Sequence, residues 1–139
     1  MLVHKNASLR THGWELESAE ARHAASPASF VIPPAHLRRS LQFGDRVKLL
    51  FLFHIVDKQH PGGIVGCERM WVTVIEASGG RYVGLLETRP VSSDALWPNE
   101  ALAFDAVHVA DIAARPDSVE FAMFQQALRD FVERLENAR

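Results

Sequence analysis

The chain has 139 residues, 47% of them apolar and 23% charged, which is ordinary globular composition and excludes a disordered or fibrous chain. Its 15 basic and 17 acidic residues are interspersed and sum to a net charge of -2, so no basic stripe exists for a phosphate backbone and no nucleic-acid partner is expected. A chain of this length buries about two-thirds of its unfolded surface and needs no disulfide or structural metal. The single Cys67 cannot form an internal bridge, which points to a reducing, cytoplasmic compartment.

Residues 1–10 contain no apolar h-region, and the longest apolar run, Leu49 to Phe53, is too short to cross a bilayer, so neither a secretory signal nor a membrane span is expected. Residues 1–30 form a loosely defined N-terminal segment. Within it Trp14 and Leu16 alternate with charge as in a short strand, and residues 17–27 favour helix without an apolar stripe. Phe30-Val31-Ile32 is extended because Pro33 disfavours α geometry at the residue before it. Pro33-Pro34 opens a short helix over Ala35–Leu41, with Leu37 and Leu41 on its inner side and Arg38, Arg39 and Ser40 facing water.

From Asp45 the period changes to two. Val47, Leu49, Phe51, Phe53 and Ile55 share one face of a strand over 46–56, whose other face turns apolar at Leu50 and Leu52. His60-Pro61-Gly62-Gly63 breaks it. A second strand over 69–76 and a third over 81–87 flank the turn Ala77-Ser78-Gly79-Gly80, a hairpin signature. After a loop over 92–100, a last strand begins at Ala101 and extends to about Val109. Asp117-Ser118-Val119-Glu120 is a capping box, and Phe121, Phe124, Leu128, Phe131, Val132 and Leu135 then form one stripe of a helix over 118–136.

Glu68-Arg69-Met70-Trp71-Val72, the return Arg81-Tyr82-Val83-Gly84-Leu85-Leu86, Pro90 and the strand entry ending at Asp111-Ile112 together resemble the bacterial family known as domain of unknown function 2314, over residues 45–112. Thr88 stands where that family has asparagine before the proline, and Asn99-Glu100 where it has Gly-Asp. The resemblance implies a small, mostly antiparallel β domain and an accessory rather than catalytic role.

Seven histidines raise a metal reading, and the best constellation along the chain is His54, Asp57, His60 and Cys67. Imidazole and thiolate are zinc ligands, but no CxxC, HxH or HExxH spacing is present, so no metal or other cofactor is expected. Cys67 with His54 or His60 as base is the corresponding route to a small metal- or cysteine-dependent hydrolase. Gly62-Gly63-x-x-Gly66 precedes a strand rather than a helix, so it is turn chemistry and not a nucleotide loop. Trp97, before Pro98 in a loop, offers large contact area at low entropy cost, and with Arg69 and Arg89 it marks the preferred binding surface.

The expected architecture is therefore α+β. A twisted antiparallel sheet or half-open barrel of about five strands carries the C-terminal amphipathic helix on it, in one domain spanning 1–139 with its β core at 45–112. The expected function is non-catalytic binding of a protein partner, and the length of the helical stripe also suggests a homodimer through that helix.

Overall fold

The computed structural model describes residues 1–138. In chain order the elements are β1 (Val3–His4), α1 (Leu9–His12), β2 (Trp14–Leu16), α2 (Ala19–Ala25), α3 (Ala35–Arg38), β3 (Arg46–Ile55), β4 (Ile64–Ser78), β5 (Arg81–Leu86), β6 (Ala101–Asp105), a 3₁₀ turn (Ala106–His108), β7 (Val109–Ile112) and α4 (Ser118–Asn137). The α+β class stands, with a mixed, open sheet in place of about five antiparallel strands. It has seven strands in the order β1-β6-β5-β4-β3-β2, with β7 also paired to β3.

β3 is the organising strand. One edge pairs with β4 from Arg46↔Thr73 to Ile55↔Ile64. A strand has only two edges, so β7, pairing at residues 47–49, and β2, pairing at residues 51–53, lie end to end along the other. The alternation of β3 places Val47, Leu49, Phe51 and Phe53 in the main core with Trp14, Met70, Val72, Val74, Tyr82, Leu86 and Phe104. Its opposite face is covered as well. Leu50 is fully buried in a second cluster with Ala19 and Ala110, against which Phe30 and Ile32 pack. The apolar turn at Leu50 therefore marks cover by the N-terminal segment, which is ordered around it.

β5 returns beside β4 through Gly79-Gly80, and β6 follows beside β5. Gly84 lies where β4 and β5 approach closely, since a Cβ there would collide with Val72 Cγ1. The strand expected over 101–109 divides at Asp105, where the 3₁₀ turn redirects the chain into β7. β4 begins earlier than expected, so Cys67 lies in a strand rather than a loop. β1 was not expected, and its pairing with β6 is parallel.

Arg38, expected to face water, is 5% exposed while Leu37 is 46% exposed. The helix is a single turn, and a buried guanidinium needs acceptors. Its Nε donates to the Pro33 carbonyl (2.8 Å), and Nη1 donates to the Ala106 carbonyl (2.9 Å) and to Glu20. The Arg38 carbonyl accepts from Tyr82 Oη at 2.8 Å.

α4 starts at Asp117, whose Oδ1 accepts from the Val119 and Glu120 N–H groups at 3.0 Å each. Its foot packs on the turn before β3. Gln125 Nε2 donates to the Phe43 carbonyl (2.6 Å), and Gly44, at φ +95, lies so close that a Cβ would be 3.0 Å from Gln125 Cγ. Of the expected stripe, Leu128 is buried, Phe121, Phe131, Val132 and Leu135 are half-buried, and Phe124 is 39% exposed. Among the described residues no helix is long and apolar enough to cross a membrane.

The junction of β3 and the segment before α4 is held by Asp45, whose side chain is 1% exposed. It accepts both bonds of a bidentate pair with Arg115 (2.7 Å each) and one from the Gln42 N–H (2.7 Å). Asp45→Ala leaves that N–H without its acceptor and the half-exposed guanidinium without its pair. It should lower unfolding free energy in urea by about 2–3 kcal/mol, and Asp45→Asn, which keeps the Gln42 acceptor, by less.

Candidate functional site

The longest helix-free link between strands runs from Glu87 to Glu100, and its geometry is fixed from both sides. At its base the Leu86 N–H donates to the Glu100 carbonyl (3.0 Å) and the Asn99 N–H to the Leu86 carbonyl (2.8 Å). Leu96 is fully buried beneath it, so the next side chain, Trp97, is directed outward and is 46% exposed. Trp97-Pro98-Asn99-Glu100 is a β-turn closed by the Glu100 N–H on the Trp97 carbonyl (3.2 Å), with Asn99 at φ +68 in the position that requires positive φ. Glu100 Oε1 accepts from the Trp97 N–H (2.9 Å), while its Oε2 meets His4 Nε2 at 2.7 Å, tying the loop to β1.

The other half of the loop is anchored on β4. Glu68 projects from the strand face that also carries Met70, and its carboxylate accepts from the Val91 N–H (2.9 Å), the Ser92 N–H (3.0 Å) and Ser92 Oγ. Burial opposes ionisation of Glu68, but these bonds outweigh it and hold its pKa below the usual carboxylate range. Arg89 donates to Asp94 Oδ1 at 2.7 Å, and its guanidinium carbon sits 4.1 Å from the Trp97 ring centroid. Trp97 and Arg89 are therefore brought together, with Val91 fully exposed nearby in the same loop.

Arg69 does not join them. Adjacent residues of a strand face opposite ways, so Arg69 points away from Glu68, and its guanidinium lies over the Phe30 ring at 5.2 Å, with Arg22 at 5.3 Å from the same ring. The residue of β4 that serves the loop is Glu68, which only the loop's folded path could reveal.

The His54/His60/Cys67 constellation is dispersed. His60 Nδ1 bonds Asp57 Oδ1 at 3.0 Å, the exposed His54 ring occupies the space above Gly63, and Cys67 Sγ lies 3.7 Å from Arg22 Nη1 and 3.9 Å from Glu17 Oε2. Among the described residues no three His, Cys, Asp or Glu side chains come together as a metal site. The three lie on two strands and a loop held by separate partners, so spacing along the chain did not become convergence in space.

A second concave feature, unsuspected from sequence, is a cleft of about 390 Å³ lined by β2, by residues 103–105 of β6 with His108, and by His4 and residues 6–8. His108 Nδ1 accepts from the Asp105 N–H at 3.0 Å, so the neutral ring carries its proton on Nε2. Burial pushes its pKa below the usual histidine value, against the opposing pull of Asp105.

No family model matches the chain, nor does any curated protein or solved structure.

The His108 shift has a signed consequence. A histidine whose folded pKa is depressed contributes stability that is complete above its unfolded pKa near 6.5 and falls as pH drops from there towards the folded value. His108→Gln, which keeps a side-chain acceptor, should flatten the decline in unfolding free energy between pH 7 and pH 5. An unchanged slope in urea titrations would show that His108 is not its source.

Proposed function

We propose that this protein is a non-catalytic binding module that recognises a protein partner through the 87–100 loop. The observation that carries the reading is the exposed Trp97 ring with the Arg89 guanidinium stacked on it, on a loop already ordered by Glu68, Glu100 and the buried Leu96. Tryptophan and arginine are the side chains that most often dominate interface energies. A loop already held in one conformation also loses less entropy on binding than a mobile one. The ring presents apolar area, Val91 adds to it, and the guanidinium keeps donors for a carbonyl or carboxylate on the partner.

The test is affinity capture with the intact chain from cells of its source organism, comparing wild type with Trp97→Ala and Arg89→Ala. A specific partner should be retained by wild type and lost with Trp97→Ala, since a central aromatic anchor commonly contributes 2 kcal/mol or more, roughly thirtyfold in affinity. Arg89→Ala should weaken it less. Glu68→Gln, which loosens the loop without touching its exposed face, should bind more weakly and show faster amide exchange at Val91 and Ser92. Equal retention by wild type and Trp97→Ala would remove the loop from recognition.

A further inference from the structure

The cleft between β2 and β6 is a gap in the sheet, and the pairing pattern shows which way its walls point. In an antiparallel ladder alternate residues direct both backbone polar groups to the same neighbour. On β2 the His54 N–H donates to the Gly13 carbonyl and the Glu17 N–H to the Leu50 carbonyl, so odd-numbered residues face β3 and Trp14 and Leu16 face away from it. On β6 the Leu86 N–H donates to the Glu100 carbonyl and the Ala106 N–H to the Gly80 carbonyl. Even-numbered residues thus face β5, while Ala103 and Asp105 face away. β1 covers β6 as far as the Ala103 N–H, which the parallel bridge His4↔Leu102 engages, and the Asp105 N–H donates to His108 Nδ1. Among the described residues no strand pair joins β6 to β2, and the backbone groups of Trp14 and Leu16 have no protein partner.

The open β2 edge at Trp14 and Leu16 therefore faces a cleft of about 390 Å³, across from the carbonyls of Ala103 and Asp105 and beside His4 and residues 6–8. β2 and β6 run in the same direction, because each step β2-β3-β4-β5-β6 reverses the chain. A strand entering antiparallel to one is antiparallel to both. The charge of the walls narrows the choice of occupant. Glu15 and Asp105 line the cleft and no Lys or Arg does, while of its two histidines His4 is engaged by Glu100 and His108 accepts the Asp105 N–H. Each carboxylate has one backbone engagement, Glu15 from the Leu9 N–H at 2.9 Å and Asp105 from the 3₁₀ turn it caps, leaving acceptor capacity.

We infer that this gap is a strand-addition site for a short extended peptide segment carrying a lysine or arginine. The peptide backbone pairs with Trp14 and Leu16, and the cationic side chain meets Glu15 or Asp105. At about 3.3 Å per residue, walls three residues long accept about three residues of extended chain. The site is separate from the Trp97 loop and does not rest on the reading of that loop.

The experiment titrates ¹⁵N-labelled full chain with acetyl-Val-Lys-Val-amide, acetyl-Val-Glu-Val-amide and the lysine peptide N-methylated at its central amide. The lysine peptide should shift the amide signals of Trp14, Leu16 and Ala103 at millimolar concentration or below and slow exchange of the Leu16 amide roughly tenfold at saturation. N-methylation should abolish these effects, and the glutamate peptide should bind at least fivefold more weakly. Glu15→Gln with Asp105→Asn, checked for unchanged circular dichroism, should lose the preference for lysine over glutamate, while Trp97→Ala should bind as wild type does. No shift in those amides, binding indifferent to N-methylation, or equal affinity for the two charged peptides would overturn the assignment.

Discussion

Everything in this structure depends on satisfying β3 on four sides at once. Its two edges carry backbone donors and acceptors that need partners, and its two faces carry apolar side chains that need cover. β4 takes one edge, and β2 and β7 divide the other. The main core takes the face of Val47, Leu49, Phe51 and Phe53, and the N-terminal segment takes the face of Leu50. Because β2 precedes β3 and β7 is the last strand, closing β3 brings segments from both sides of it in the sequence onto one edge.

The same constraint leaves the gap. β7 reaches β3 only because the 3₁₀ turn swings the chain away from β6, and β2 occupies the rest of that edge. β6 and β2 then do not pair, and the outward backbone groups of Trp14 and Leu16 are left facing the cleft. Buried Arg38 holds this corner, binding the Ala106 carbonyl on the turn, Pro33 before α3 and Glu20 on α2. Loss of its guanidinium would leave several acceptors unmet in one place, where unpaired buried groups cost most.

The loop bearing Trp97 is constructed differently. It is long, yet its path is specified by carboxylates that accept backbone N–H groups, Glu68 for its first half and Glu100 for its second. Each carboxylate also holds a group from elsewhere in the fold or belongs to another element, so the loop is ordered by the sheet rather than by its own sequence. That arrangement presents an aromatic and a guanidinium in fixed register, as a recognition surface requires.

Period-two patterning determined β3, the glycine pair determined the β4–β5 turn, and the capping residue Asp117 with its apolar spacing determined α4, because these signals are local and the chemistry that reads them lies within a few residues. Trp97 and Arg89 were also legible, as an aromatic and a cation within one loop. What tertiary structure alone decided was which distant residues meet. It separated Arg69 from Trp97 by the alternation of β4, dispersed His54, His60 and Cys67, and buried Arg38 among acceptors from three segments. It also set the open edge of β2 beside a cleft. Those outcomes follow from closing the sheet around β3, and no window of sequence contains the partners that closure brings together.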